Sequence, residues 1–98
     1  MTNKEEILHR LRQTKDVLLS YGVASIGLFG SFIRNEATPS SDIDILIDFH
    51  PSHETFDNFM AVCDLLETVF PEQAVEVVTR NGLSQYIGPA ILKEVEYA

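Results

Sequence analysis

Apolar positions along the chain change their spacing several times, and each change marks a new element. Ile7, Leu8, Leu11, Leu18 and Leu19 recur at helical spacing, with Arg10, Arg12, Gln13 and Asp16 mostly on the other side. This predicts a helix over about residues 3–21. Thr2 or Asn3 can cap it, with Glu5 or Glu6 as the capping-box partner, and Gly22 suits the position just past its end. Val23 to Phe29 is a short apolar run and is expected to be a buried strand. Gly27 inside it weakens strand propensity and points to a close backbone approach. Gly30-Ser31 ends the run. Ser31 to Glu36 can form a short helix, and Ala37 to Ser41, with Pro39 and two serines, has the chemistry of a loop.

From Asp42 to Phe49 the pattern alternates. Ile43, Ile45 and Ile47 interleave with Asp42, Asp44, Leu46 and Asp48. Side chains alternate across a strand, so the isoleucines face a core and Asp42 and Asp44 share the opposite face. A second helix is expected from about Glu54 to Val69, with Phe56, Phe59, Met60, Cys63 and Leu66 as its apolar stripe and Pro71 stopping it. Ala74 to Thr79 predicts a third strand, with Glu76 among valines. Arg80-Asn81-Gly82 is a turn, Leu83 to Ile87 is ambiguous, and Gly88-Pro89 opens a last helix with Ile91, Leu92 and Val95 on its apolar side. The elements sum to an α/β (α+β) domain over residues 1–98, a mixed β-sheet with helices packed against one face.

Composition narrows the functional classes. An apolar fraction of 45% supports a core and argues against disorder. The net charge of −8 leaves no basic patch to replace phosphate counterions, so direct nucleic-acid binding is not expected. A metal-bridged nucleotide site stays open, because the ion would carry the positive charge. Cys63, the single cysteine, sits in a helical apolar pattern and is expected to be a packing residue. No signal-like segment or membrane-length apolar run stands in the sequence, so a cytoplasmic protein without membrane contact is expected. Ninety-eight residues leave little material for a separate substrate domain. An enzyme of this size would need a partner or a very small substrate.

The candidate chemistry lies between Leu28 and Asp48. Two residues apart on a strand, Asp42 and Asp44 would have Cα atoms roughly 6.5–7 Å apart. Carboxylates about 5 Å apart repel by roughly 3 kcal/mol at an effective dielectric of ~20. Solvent, an arginine, protonation or a cation would offset this, and Mg²⁺ suits it because it also takes phosphate oxygens. Gly30 lets the backbone approach a ligand, and the Ser31 and Phe32 amides with the Ser31 hydroxyl could meet a phosphate. Glu76, should its strand lie beside Asp44, would complete a carboxylate triad that binds metal or accepts a proton. His50 and His53 lack a third ligand partner. His9, Asp48, Tyr86 and Tyr97 are expected at the surface or in packing, and no nucleophilic triad is evident.

Gly30-Ser31, the ten-residue spacer and Asp42-Ile43-Asp44 resemble the signature of the polymerase-β-like nucleotidyltransferase superfamily. The short chain is similar to its minimal nucleotidyltransferase branch, which includes the antitoxins of HEPN/minimal-nucleotidyltransferase pairs. Val75 to Leu83 resembles a later segment of that family. The resemblance implies the polymerase-β-like fold and a role for Asp42, Asp44 and Glu76 as catalytic metal ligands for two Mg²⁺ ions. It also implies that Gly30 and Ser31, with Arg34, bind the triphosphate of ATP as substrate. The implied reaction moves AMP to a hydroxyl, with a tyrosine of a HEPN toxin as acceptor, the toxin being substrate and partner in a hetero-oligomer. Two residues depart from the pattern: Glu76 stands where Asp is commoner, and Asn35 follows Arg34 where Gly often does. A non-catalytic antitoxin acting by binding, and nucleotidyl transfer to a small molecule, remain as alternatives.

Overall fold

The computed structural model describes residues 2–98. The first helix, α1, spans Lys4–Ser20. Asn3 caps it, its Oδ1 accepting from the Glu6 N–H at 2.8 Å, and Gly22 follows with φ +84°, the left-handed conformation expected past a helix end. β1 (Val23–Phe29) leads into a 3-10 turn, Gly30–Phe32. β2 spans Ile43–Phe49, α2 Phe56–Val69, β3 Val75–Thr79, α3 Gly88–Glu94 and β4 Glu96–Tyr97. The sheet order is β3-β2-β1-β4, with β2 and β3 parallel and the other pairs antiparallel. α2 makes the crossover that a parallel pair requires.

The alternation in β2 sets the layers. Ile43, Ile45 and Ile47 are fully buried and pack with Ile26 and Leu28 of β1, with Ile7, Leu8, Leu11 and Leu18 of α1, and with Val62 and Leu66 of α2. At roughly 1.5–3 kcal/mol for each large apolar side chain removed from water, this layer holds α1 and α2 to the sheet. Arg10 ties the two helices together at their edge through Glu6, Glu72 and the Val69 carbonyl, with its guanidinium 5.5 Å from the Phe70 ring centre. α3 is outside that layer and borders the cleft described below.

Several expectations change. The helix expected over Ser31–Glu36 is a 3-10 turn of three residues followed by hydrogen-bonded turns, with Asn35 in the left-handed region at φ +59°. The Ile33 and Arg34 N–H groups both return to the Gly30 carbonyl, so the chain curls tightly rather than propagating a helix. α2 starts at Phe56, capped by Thr55, and turns only part of the expected stripe, Leu66 and Phe59, inward. Val62 and Leu66 are buried and Phe59, Leu65 and Val69 partly so, whereas Phe56 and Met60 are exposed and Cys63 half-buried. Leu19 is exposed, too. β4 is an element the periodicity did not predict, since two residues carry no period. It explains Gly27: a Cβ there would press into Val95 and the Glu96 carbonyl. Asp42 lies one residue outside β2. Among the described residues, no helix is long and apolar enough to cross a membrane.

Candidate active site

Strand register brings the candidate residues together. Asp44 stands opposite Glu76 in the parallel β2–β3 pair and opposite Phe29 in the antiparallel β1–β2 pair. Phe29 precedes Gly30, so the turn leaving β1 sits directly beside the Asp44 carboxylate. Gly30 is buried with φ +82°, and a Cβ there would overlap Asp44 Oδ2. Glycine is thus required twice, by its backbone conformation and by the carboxylate against it.

These residues line a cleft of about 490 Å³. Its polar part includes Gly30, Arg34, Asp44, Glu76, Ser84 and Glu94, and its apolar wall includes Val78, Leu83, Tyr86, Ile87 and Ile91. Tyr86 and Ile87 are largely exposed at the rim. Asp42 and Ser31 do not line this cleft; Asp42 is exposed at the entry to β2, and Ser31 is half-buried. Of the sequence-predicted set, Gly30, Arg34, Asp44 and Glu76 meet in one cleft, with Asp42 two residues from Asp44. A smaller hollow of about 310 Å³, between the start of α1 and the Phe32–Ala37 segment, lies apart from these carboxylates.

Electrostatics single out Asp44. Its carboxyl is raised from the usual 3.8 to about 6, first by burial, then by the charge and hydrogen bonding of Glu76 and the charge of Asp42, with Arg34 opposing. Arg34 donates from Nε to Glu36 at 2.6 Å and from Nη1 to both oxygens of Glu94 at 3.1 Å. Those hydrogen bonds, Glu36 first and Glu94 second, hold its guanidinium in the charged form.

An all-oxygen donor set whose members repel one another suits a hard divalent cation. The missing Cβ of Gly30 is what lets the Asp44 carboxylate pack against the turn. Asp44 with Glu76 or Asp42 fits such an ion in chemistry. Among the described residues, though, no three His, Cys, Asp or Glu side chains converge as a metal-holding group. The three carboxylates therefore form a pair in register, Asp44 and Glu76, with Asp42 at its edge. His50 and His53 lie on an exposed 3-10 turn with ring centres 6.4 Å apart, away from the cleft lining. Asp48 pairs with Ser25 further along β2 and does not reach the cleft.

Glu94 escaped the sequence reading. Its Oε2 accepts from the Gly30 N–H at 2.6 Å across 64 residues of chain. The one local signal was the i, i+4, i+7 spacing of Ile87, Ile91 and Glu94, which puts a carboxylate at the end of an apolar helical face.

Comparison with known proteins bears on the family and the fold. The family model described as a nucleotidyltransferase domain matches residues 11–98. The protein adenylyltransferase MntA of Thermococcus cleftensis is 35% identical over 83 residues, covering 85% of this chain and 82% of that one. A Methanocaldococcus jannaschii chain, provisionally named a protein adenylyltransferase, is 32% identical over 100 residues and is covered over 99% of both. Among solved structures, one provisionally described as a minimal nucleotidyltransferase superposes with a TM-score of 0.82 at 24% identity, over 97% of this chain and 95% of that chain. A chain from the crystal structure of a mutant toxin–antitoxin MntA–HpeT superposes with a TM-score of 0.63 at 17% identity, over 98% and 71%. The two structural likenesses concern the fold, which is that of a minimal nucleotidyltransferase.

Proposed function

This chain is a nucleotidyltransferase, belonging over residues 11–98 to the nucleotidyltransferase domain family, and we propose that it transfers AMP from ATP to a hydroxyl of another protein. The acceptor in this reading is a tyrosine of a cognate HEPN toxin, and the outcome is neutralisation of that toxin. The observation that carries it is the Gly30 turn packed against Asp44, with Glu76 in register beside them at a cleft. A backbone turn without a Cβ, next to paired carboxylates, accommodates a phosphate chain and the cations that accompany it. Support for a protein acceptor comes from the relatives named protein adenylyltransferases.

Each residue takes a role from its position. The Gly30 N–H and the Arg34 guanidinium bind the β- and γ-phosphate oxygens, with the Ser31 hydroxyl at the same turn. Asp42 and Asp44, with Glu76, would hold Mg²⁺, two ions in the full reading. Bound there, the cations neutralise phosphate charge and stabilise the attacking and leaving oxygens. The acceptor hydroxyl oxygen attacks the α-phosphorus, and the bond from the α-phosphorus to the bridging oxygen breaks, so pyrophosphate leaves. Glu76, more exposed than Asp44, takes the hydroxyl proton. The exposed Tyr86–Ile87 rim gives the acceptor chain a surface beside the reacting atoms.

The test is incubation with MgATP and the cognate toxin, followed by peptide mass spectrometry. AMP esterified to a toxin tyrosine, lost in Asp42→Asn and Asp44→Asn, is expected. An unmodified toxin that is nonetheless neutralised by both variants would favour the binding-only antitoxin. The looseness of the carboxylate cluster is the observation that favours that second reading.

A further inference from the structure

The donors assigned above to phosphate are engaged by a side chain of the protein itself. Glu94 closes α3, and its carboxylate accepts from the Gly30 N–H at 2.6 Å and from Arg34 Nη1 at 3.1 Å through each oxygen. One anionic group thus takes both a backbone amide and a guanidinium, the pairing a phosphate would use. We propose that Glu94 is a built-in competitor for the nucleotide's phosphate tail, holding the Gly30 amide and Arg34 until triphosphate displaces it. The inference rests on Gly30 and Arg34 being phosphate ligands.

Nothing in α3 itself calls for an acid at this position. A carboxylate at a helix C-terminus opposes the helix dipole, where a cation is favoured. Glu94 also adds a negative charge to a cleft that already carries Asp44 and Glu76, with Arg34 as the cation among these lining residues. Its side chain is 22% exposed against 51% for Arg34, so the contact is made at the cleft wall rather than in open solvent. Glu94 therefore sits where its neighbours repel it, held by the two donors that a triphosphate would take over. The amide proton of Gly30 is shared poorly between two acceptors, so occupancy by one excludes the other.

The contact also links the site to the C-terminal segment. β4 follows α3 directly and joins β1 through two register pairs, Gly27 with Tyr97 and Leu28 with Glu96. Displacing Glu94 unhooks the end of α3 from the turn after β1 and leaves those pairs, the Ala98 N–H to Ile26 carbonyl bond, and the contacts of Lys4 with Glu96 and of Lys15 with the Ala98 carbonyl to hold the segment. Phosphate occupancy should then loosen residues 88–97 in the wild type.

Calorimetric titration of the full chain and of Glu94→Gln and Glu94→Ala tests this, with three probes in Mg²⁺ buffer: ATP, inorganic triphosphate and adenosine. A competitor lowers apparent affinity by the fraction of molecules with the seat open. Both variants should bind ATP and triphosphate about three- to tenfold more tightly, the range expected for losing a partly exposed charged contact. Adenosine, which lacks phosphate, should be unaffected. Hydrogen exchange over residues 88–97 should rise when triphosphate binds the wild type. Wild-type binding of ATP with equal or weaker binding by both variants would overturn the proposal, and so would a parallel change for adenosine. If no form binds ATP or triphosphate, the phosphate assignment of Gly30 and Arg34 fails and the competitor role with it.

Discussion

Gly30 and Asp44 constrain each other at the residue scale, and both can be probed without reference to a substrate. Gly30→Ala places a Cβ against the Asp44 carboxylate in a left-handed backbone. Such a residue costs about 1–3 kcal/mol before any steric shift is counted. Chemical denaturation should therefore show Gly30→Ala less stable by at least that amount, and transfer activity should fall with it. Asp44 behaves in the opposite sense. Its carboxyl titrates at about 6 when folded against 3.8 ordinarily, so between these values the folded chain holds the extra proton. Its contribution to stability is complete below pH ~4 and is lost as pH rises through ~6. Asp44→Asn should thus stabilise the metal-free protein at pH 7, by about 1 kcal/mol once screening by solvent is allowed for. The gain should vanish near pH 4. Activity should drop roughly 10²–10³-fold or more in the same variant. An Asp44→Asn protein less stable than wild type at pH 7 would contradict the electrostatics.

The elements show what periodicity can and cannot specify. β2 was legible because Ile43, Ile45 and Ile47 alternate with Asp42, Asp44, Leu46 and Asp48, and the isoleucine face of the sheet is buried. Gly27 and Gly30 were legible because a glycine in or after an apolar strand has few structural reasons to be there. α2 was half legible: its existence was clear, but two apolar stripes overlap in it. Phe56 and Met60 compete with Val62 for the inward face, and only packing into the shared core decides between them. Leu66→Ala should cost about 2–5 kcal/mol in thermal or denaturant unfolding, whereas Phe56→Ser should cost less than ~0.5. Equal costs would mean the helix is rotated. β4 and Glu94 were illegible because each acts through a contact across more than 60 residues. Gly27→Val should crowd Val95 and Glu96 and release the C-terminal segment, read as faster proteolysis after residue 87 with the rest of the chain intact.

The whole molecule pairs an acid-rich composition with an open cleft. A net charge of −8 on 98 residues favours encounter with a basic partner and makes that encounter sensitive to salt. The cleft is open on the side where Tyr86 and Ile87 stand exposed, next to Asp44 and Glu76. The family and fold were legible at this scale because the Gly30-Ser31 turn and Asp42-Ile43-Asp44 lie close in sequence and meet through one strand pair. How tightly the three carboxylates gather was not, since it depends on side-chain positions that register alone leaves free.

Nucleotidyl transfer at this cleft is measured by supplying ATP labelled in parallel at the α- or γ-phosphate, with Mg²⁺ and the proposed toxin acceptor. The α-label should become covalently attached to the acceptor and the γ-label should leave as pyrophosphate, both at least about 10²-fold slower in Asp44→Asn. Attachment of the γ-label, or attachment of the α-label undiminished in Asp44→Asn, would contradict transfer at this cleft.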